Sequence, residues 1–364
     1  MVEVVLESDN QRTLDPPGGR LQDYHKVWSI NGCHPRVVHV LQWGYQIILR
    51  EPVKLTRYPI IQSGYNNQEK QAFLKDCVQQ MLQKHAITPV KHNTTLGFYS
   101  RLFLVPKPGK KWRPVIDLST LNLHLNVPTF KMETAEVVRS SICKGEWVVS
   151  IDLTDAYFHI PIHQKSQHLL RFCVAGQVYQ FKALPFGIAT APLEFTRVVK
   201  EVKIMLQNKG IRIHQYLDDW LLRAPSQQVC QKQAQELVSF VQSLGWVINF
   251  QKSELKPTQK FDFLGYLFDL EKGTVSPTQK KWEKLTEAIS QLQNTIATTP
   301  RHLMSFIGIL ASLEKTVPMG RLHMRPFQWH LKTHWQHPQS LDIQIPWTSL
   351  MKSHLVWWEN PSNC

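Results

Sequence analysis

The sequence predicts a mixed α/β fold, on two observations. Apolar residues recur at helical spacing in runs such as Phe73, Leu74, Cys77, Val78, Met81 and Leu82. Between about residues 98 and 181, by contrast, the chain holds short β-rich runs punctuated by Pro108-Gly109 and by Gly176 in an expected hairpin.

The elements follow in order. Residues 1–66 carry polar stretches, Pro16-Pro17-Gly18-Gly19 and scattered aromatics with no sustained period, so an irregular N-terminal arm is expected. A helix begins near Asn67 and ends at Ile87-Thr88-Pro89-Val90. Strands are expected over 102–105 and 147–151. Pro192 opens a helix whose Phe195, Val198, Val199, Val202 and Met205 share a face until Gly210, and Ser226 caps another that holds Leu237, Val238, Val241 and Leu244 before Gly245. A β segment over 261–268 follows. Helices then return, with Trp282, Leu285, Ile289 and Leu292 on one stripe and Leu303, Phe306, Ile307 and Leu310 on the next.

Composition narrows the function. The 364 residues include 42 Lys plus Arg against 28 Asp plus Glu, a net charge of +14 with His neutral. Such a surplus favours a polyanionic partner over a merely solvated basic surface. At 43% hydrophobic and 19% charged, the chain is too apolar for disorder and too polar for a membrane bundle. No run approaches the ~20 apolar residues of a spanning helix, and Glu3, Glu7 and Asp9 do not fit a signal peptide. A soluble intracellular protein with no membrane partner is expected. Cys33, Cys77, Cys143, Cys173, Cys230 and Cys364 show no C-x-x-C spacing, which argues against a disulfide framework or a zinc site.

The acids are the most informative residues. Residues 211–222 read as two β runs around Asp218-Asp219, which puts two negative charges at a hairpin tip. Asp is a common turn residue, so the pair alone says little. Asp152, however, stands where the strand 147–151 ends, and a third carboxylate beside the tip would complete an oxygen-ligand site. Mg2+ suits such a site, because it takes a few carboxylates together with waters and substrate phosphates. Two such ions about 3.5–4 Å apart clamp the oxygens of an in-line phosphoryl transfer.

Five segments occur in a telling order: Leu104-Val105-Pro106-Lys107 with Trp112-Arg113-Pro114-Val115-Ile116-Asp117 and Leu121-Asn122; Ile151-Asp152-Leu153-Thr154-Asp155-Ala156-Tyr157-Phe158; Leu184-Pro185-Phe186-Gly187-Ile188-Ala189-Thr190-Ala191-Pro192; Tyr216-Leu217-Asp218-Asp219; and Phe263-Leu264-Gly265-Tyr266. Each is weak alone. Together, over about residues 67–330, they resemble the polymerase region of a reverse transcriptase, most of all those of gypsy-like and, closer still, DIRS-type (tyrosine-recombinase) retrotransposons.

The resemblance implies an α/β right-hand polymerase: a palm of antiparallel sheet plus helices, interleaved fingers and a helical thumb. Residues 67–270 would form fingers and palm, 271–335 the thumb and 336–364 the start of a connection region. Trp357-Trp358 resembles the approach to an RNase H domain, but no four-acid cluster is legible there. The implied activity is RNA-directed DNA polymerase. Two Mg2+ ions, with Mn2+ as the alternative, would serve addition of dNTPs to a primer 3′-hydroxyl. An RNA template, a DNA primer and their RNA/DNA duplex would be the partners, and oligomeric state is not legible.

By the same resemblance, Asp152 and Asp218 would ligate the metals, with Asp219 completing the cluster. Lys107 and Arg113 would hold the nucleotide triphosphate, the alternative being a solvated basic loop. Asp155 and Ala156 would flank the nucleotide, and the Tyr157 ring would lie under its sugar where a 2′-hydroxyl collides, unless Tyr157 is only a core aromatic. Pro185 and Gly187 would let the backbone approach nucleotide and template. Phe186 stands where retroviral enzymes carry a polar Gln, which makes it a packing residue under the nucleotide. Lys252 would act near the departing pyrophosphate as a proton donor, unless it is an ordinary surface lysine. Between 280 and 335, Lys280, Lys281, Lys284, Arg301, Lys315, Arg321, Arg325 and Lys332 outnumber Glu283, Glu287 and Glu314, a balance suited to duplex phosphates. One competing reading is a decayed or domesticated element that binds nucleic acid without catalysis, which the three intact acids disfavour. Another is an RNA polymerase with a similar palm, which Tyr157 disfavours.

Overall fold

The computed structural model describes residues 16–60, 67–91, 96–107, 111–293 and 295–360, with the side chains of Lys107 and Lys111 left out. In chain order the elements are α1 (His25–Ile30), α2 (Pro35–Trp43), α3 (Gln68–Gln83), β1 (Ile87–Pro89), β2 (Arg101–Lys107), β3 (Lys111–Asp117), α4 (Ser119–Asn122), α5 (Ala135–Ser141), β4 (Trp147–Asp152), α6 (Gln164–Gln167), β5 (Arg171–Val174) and β6 (Gln177–Phe181). They continue as α7 (Ala191–Asn208), β7 (Arg212–Tyr216), β8 (Asp219–Ala224), α8 (Gln227–Ser243), β9 (Glu254–Thr258), β10 (Lys260–Phe263), β11 (Tyr266–Asp269), β12 (Thr274–Pro277), α9 (Gln279–Gln293), β13 (Ala297–Thr298), α10 (Pro300–Leu313), α11 (Gly320–His334), β14 (Ile345–Pro346) and α12 (Ser349–Glu359). Two compact units result: Met1–Thr134 with Trp147–Pro257, and Ala135–Glu146 with Thr258–Cys364.

The first unit is built on a four-stranded sheet in the order β7-β8-β4-β9. Local chemistry sets its helices. The Asn67 side chain caps α3 by accepting from the Glu69 and Lys70 amides, and Leu74, Cys77, Val78 and Met81 form its buried stripe. Pro192 occupies the first turn of α7, where its missing N–H costs nothing, and Phe195, Val198, Val199 and Val202 are buried. Ser226 caps α8 by accepting from Val229 N. After α8, Gly245 has φ +93°, and a Cβ there would lie 2.5 Å from the Tyr24 ring, so turn and packing both require glycine. A second sheet runs β1-β6-β5, and β2 pairs with β3 as a hairpin.

Residues 20–43 correct the expectation of an irregular arm over 1–66, of which 1–15 and 61–66 lie outside the described residues. They form a 3-10 turn (Arg20–Gln22) and the helices α1 and α2, with Leu21, Trp28, Val37 and Leu41 in the main core. Long-range bonds fix them: Trp28 Nε1 donates to Leu244 O at 2.8 Å, Gly19 N to Phe158 O at 2.7 Å and Tyr45 N to Pro161 O at 2.7 Å.

In the second unit, β10, β11 and β12 form an antiparallel sheet. The expected single β segment over 261–268 is two strands, because Leu264 and Gly265 turn with φ of 50° and 77°. Helices α9 to α12 close around Leu285, Ile289, Leu303, Phe306, Leu310, Phe327 and Trp358. No helix among the described residues is long and apolar enough to cross a membrane.

Candidate active site

The β7–β8 hairpin turns through Leu217 and Asp218, and Tyr216 pairs with Asp219 across it. Leu217 sits at φ 54°, a left-handed conformation that costs a non-glycine residue about 1–3 kcal/mol. Two bonds hold the strained turn: Trp220 Nε1 donates to Leu217 O at 2.9 Å, and Leu153 N donates to Asp218 O at 3.3 Å. The turn is thereby fastened to the end of β4, where Asp152 faces Asp219 directly in register. Sequence-distant acids are thus brought to one end of one sheet.

These carboxylates repel one another. Removal from water pushes the Asp152 carboxyl above its ordinary value and the Asp218 charge adds to this, while Lys252 opposes it. Asp219 is pushed up likewise, first by desolvation and then by Asp218 and Asp152. Asp219 itself lies at the surface. Lys252 Nζ stands 3.9 Å from Asp152 Oδ1 on a side chain that is 71% exposed, too loose a pair to neutralise the cluster. Among the described residues no group of three or more His, Cys, Asp or Glu side chains is placed to hold a metal ion. An all-oxygen set with surplus negative charge fits a divalent cation that completes its shell with waters and substrate phosphates.

Behind Asp152 lies a network that the sequence did not disclose. Asp152 N donates to Ser253 Oγ at 3.0 Å, Ser253 Oγ to Asn249 O at 2.8 Å, and Asn249 N to Asp152 O at 2.9 Å. Asn249 Oδ1 also accepts from Lys252 N at 3.3 Å. The loop bearing Lys252 is therefore locked to the backbone of the acid.

Several of the residues expected around a nucleotide meet near the acids, where Tyr157 feels the charge of Asp218. Asp155 has φ 46° and heads a 3-10 turn (Ala156–His159), and its carboxylate pairs with Lys84 Nζ at 2.8 Å. Ala156 is buried. Tyr157, only 7% exposed, packs edge-on against Phe186 (4.7 Å) and Phe195 (4.8 Å). Burial, with help from Asp218 and Tyr216, pushes its hydroxyl up to about 12, so it stays neutral. Phe186 is 54% exposed, Pro185 is buried and Gly187 has φ 98°. Asn122 spans this loop: its Nδ2 donates to Gly187 O and its Oδ1 accepts from Ala189 N, both at 2.9 Å. A core and a site reading of Tyr157 are therefore compatible, since one edge meets buried Phe195 and another the exposed Phe186.

Arg113 is exposed on β3, opposite Val105, and no contact among the described residues joins it to the acids. The side chain of Lys107 and all of Lys110 lie outside the described residues. In the second unit, Lys281 corrects the expectation of eight cations open to phosphate. Its ammonium lies 3.7 Å from the centre of the Tyr266 ring and donates to Ser312 O at 2.9 Å. Arg301 pairs with Asp342, Lys315 with Glu136 and Arg321 with Glu314.

Comparison with known proteins accords with this geometry. The first unit's acid-bearing sheet and the helical second unit belong to a right-hand polymerase fold: 93% of the chain superposes on a foamy viral protease-reverse transcriptase in complex with double-stranded DNA, with a TM-score of 0.66, 19% identity and 59% of that chain covered. The same enzyme in complex with an RNA/DNA hybrid matches over 93% of this chain and 46% of its own, with a TM-score of 0.64 and 18% identity. Residues 105–268 match the model of the reverse transcriptase (RNA-dependent DNA polymerase) family. It is 26% identical over 231 residues to the Pro-Pol polyprotein of simian foamy virus type 1, covering 63% of this chain and 19% of that one. It is also 26% identical over 327 residues to the Gag-Pol polyprotein of gibbon ape leukemia virus, covering 84% of this chain and 18% of that one. The chain thus spans about a fifth of the length of the curated relatives it matches.

Proposed function

We propose that the protein is an RNA-directed DNA polymerase that adds dNTPs to a primer 3′-hydroxyl on an RNA or DNA template. The observation that carries this is the placement of Asp152 opposite Asp219, beside a strained tip bearing Asp218, within residues 105–268 that match the reverse transcriptase family. We propose Mg2+, with Mn2+ as a substitute, at Asp152 and Asp218. When bound, a pair of such ions supplies the positive charge that offsets charge developing on the attacking and leaving oxygens. The chain's own residues orient the partners. The Asn249–Ser253 network fixes the direction of Asp152, the Leu153 and Trp220 bonds fix the tip, and Tyr157, held by Phe186 and Phe195, supplies a rigid floor under a deoxyribose. Lys107 and Arg113 would meet the triphosphate, and Lys252 the pyrophosphate leaving group.

In this reading 67–270 serve as fingers and palm, 271–335 as thumb and 336–364 as the opening of a connection region. The order and wording of the five motifs support a retrotransposon of the gypsy-like or DIRS type as the source. An intracellular site of action is supported by the free thiols of Cys33, Cys77, Cys143, Cys173 and Cys230. The test is primer extension on RNA and DNA templates, with dNTPs and with NTPs, by the wild type and by Tyr157→Val. The wild type is expected to use dNTPs on both templates, and Tyr157→Val to raise the ratio of NTP to dNTP incorporation. An unchanged ratio in a folded variant contradicts the floor; a wild type that binds duplex yet extends nothing favours the decayed-element reading.

A further inference from the structure

We propose that His159 is a positioning residue of the nucleotide site, pinning the turn that carries Asp155, Ala156 and Tyr157 to the loop that carries Asn249 and Lys252. The proposal rests on the polymerase reading above. His159 has no exposed surface, and its ring lies 4.9 Å from that of Trp246. Its Nδ1 is 3.2 Å from Ala156 O, and its Nε2 is 3.1 Å from Val247 N, a partner 88 residues away. The Val247 amide can only donate, so Nε2 must offer its lone pair. The neutral ring then carries its proton on Nδ1, where it donates to Ala156 O. Both nitrogens are used and one tautomer is selected.

Each end of this link leads to the reacting groups. Ala156 immediately precedes Tyr157 in the turn. Val247 O accepts from Thr154 N at 2.9 Å, and two residues later Asn249 N reaches Asp152 O. The ring thus makes the spacing between the nucleotide floor and the Lys252 loop a fixed quantity rather than a consequence of loop flexibility. An apolar side chain of similar size would fill the same volume against Trp246 but would leave the half-buried Val247 N–H without its acceptor. Packing alone does not call for a histidine here.

The test compares His159→Phe, which keeps a ring and loses both nitrogens, with His159→Gln, whose amide oxygen falls near the place of Nε2. Steady-state kinetics on one primer-template, primer-template affinity, dNTP-dependent stabilisation of a dideoxy-terminated complex and thermal unfolding are measured for each. His159→Phe should lower kcat/KM for dNTP by about tenfold or more, mostly through KM, while primer-template affinity changes by less than about twofold. It should weaken dNTP capture by the dideoxy-terminated complex equally, and His159→Gln should recover part of both losses. If the Phe variant does not fold, His159→Asn, which keeps the Ala156 bond and drops the Val247 bond, takes its place. A folded Phe or Asn variant with wild-type kcat/KM and dNTP capture overturns the role of His159 and leaves the polymerase reading standing, as does a loss shared equally by primer-template binding. A wild type that neither extends a primer nor captures dNTP overturns the polymerase reading, and this one falls with it.

Discussion

Two groups of carboxylates meet the same β7–β8 hairpin and behave in opposite ways. Alongside β7, Glu133 is closed: it pairs with Lys203, lies 3.3 Å from His214 Nδ1 and accepts from Gln215 N at 3.2 Å. Burial pushes its carboxyl up, but His214 and Lys203 outweigh this and hold it at about 2. At the tip, Asp152 and Asp219 are both pushed above their ordinary values; the loosely held Lys252 opposes this at both, and a hydrogen bond from the Asn249 side chain opposes it at Asp152, without reversing either shift. Compensated charge holds the fold together, whereas uncompensated charge is what a cation-dependent reaction requires.

Substitution should separate the two. Asp218→Asn is expected to lower primer extension by about 10²–10³-fold or more, because it removes charge where charge must be met, yet to leave thermal stability equal or higher, since it relieves Asp152 and Asp219. A variant that unfolds at lower temperature while retaining activity would reverse the comparison. Glu133→Ala should do the opposite, costing about 2–3 kcal/mol in denaturant unfolding by stranding Lys203, His214 and the Gln215 amide, with residual activity per folded molecule. Tyr157→Val straddles both groups and should cost about 3 kcal/mol for its buried ring while raising NTP use. Equal loss of NTP and dNTP incorporation would make it a core residue alone.

The pH dependence should be smaller and of opposite sign at the two places. Glu133 has a depressed folded value, so its contribution is present above the unfolded value of 4.5 and is lost as pH falls toward about 2. Asp152 and Asp219 have raised folded values, so protonation stabilises the metal-free protein below 3.8 and that contribution is lost as pH rises through their folded values. Unfolding temperatures measured from about pH 3 to pH 7 should therefore show an acid limb that Glu133→Gln flattens and a falling limb above it that Asp218→Asn flattens. Insensitivity of the upper limb to Asp218→Asn would remove the case for mutual repulsion at the tip.

Much of the site was legible in sequence because its chemistry is local. The Tyr-Leu-Asp-Asp hairpin, the strand ending at Asp152 and the Asn67 and Ser226 caps each lie within a few residues of their cause. Residues 16–60 were not legible: α1 and α2 have six and nine residues, too few turns to show a period, and their fixing bonds reach Phe158, Pro161 and Leu244. The roles of Asn249 and Ser253 were not legible, since nothing local says that they hold Asp152 from about a hundred residues away. Lys281 counted as an open cation because sequence records its charge and not the Tyr266 ring beneath it. Glu133 carried no motif, and only the fold sets it beside Lys203 and His214.

The central claim, that the tip carboxylates are left uncompensated for a divalent cation, is tested most directly by thermal unfolding during titration with Mg2+ or Mn2+, without nucleic acid. The wild type should gain stability with rising cation, by about 2.7 kcal/mol at a hundred times the dissociation constant. The Asp152→Asn/Asp218→Asn double variant should start more stable and gain nothing, while Glu133→Gln should start less stable and gain as the wild type does. An equal gain in the double variant, or none in the wild type, would contradict the claim.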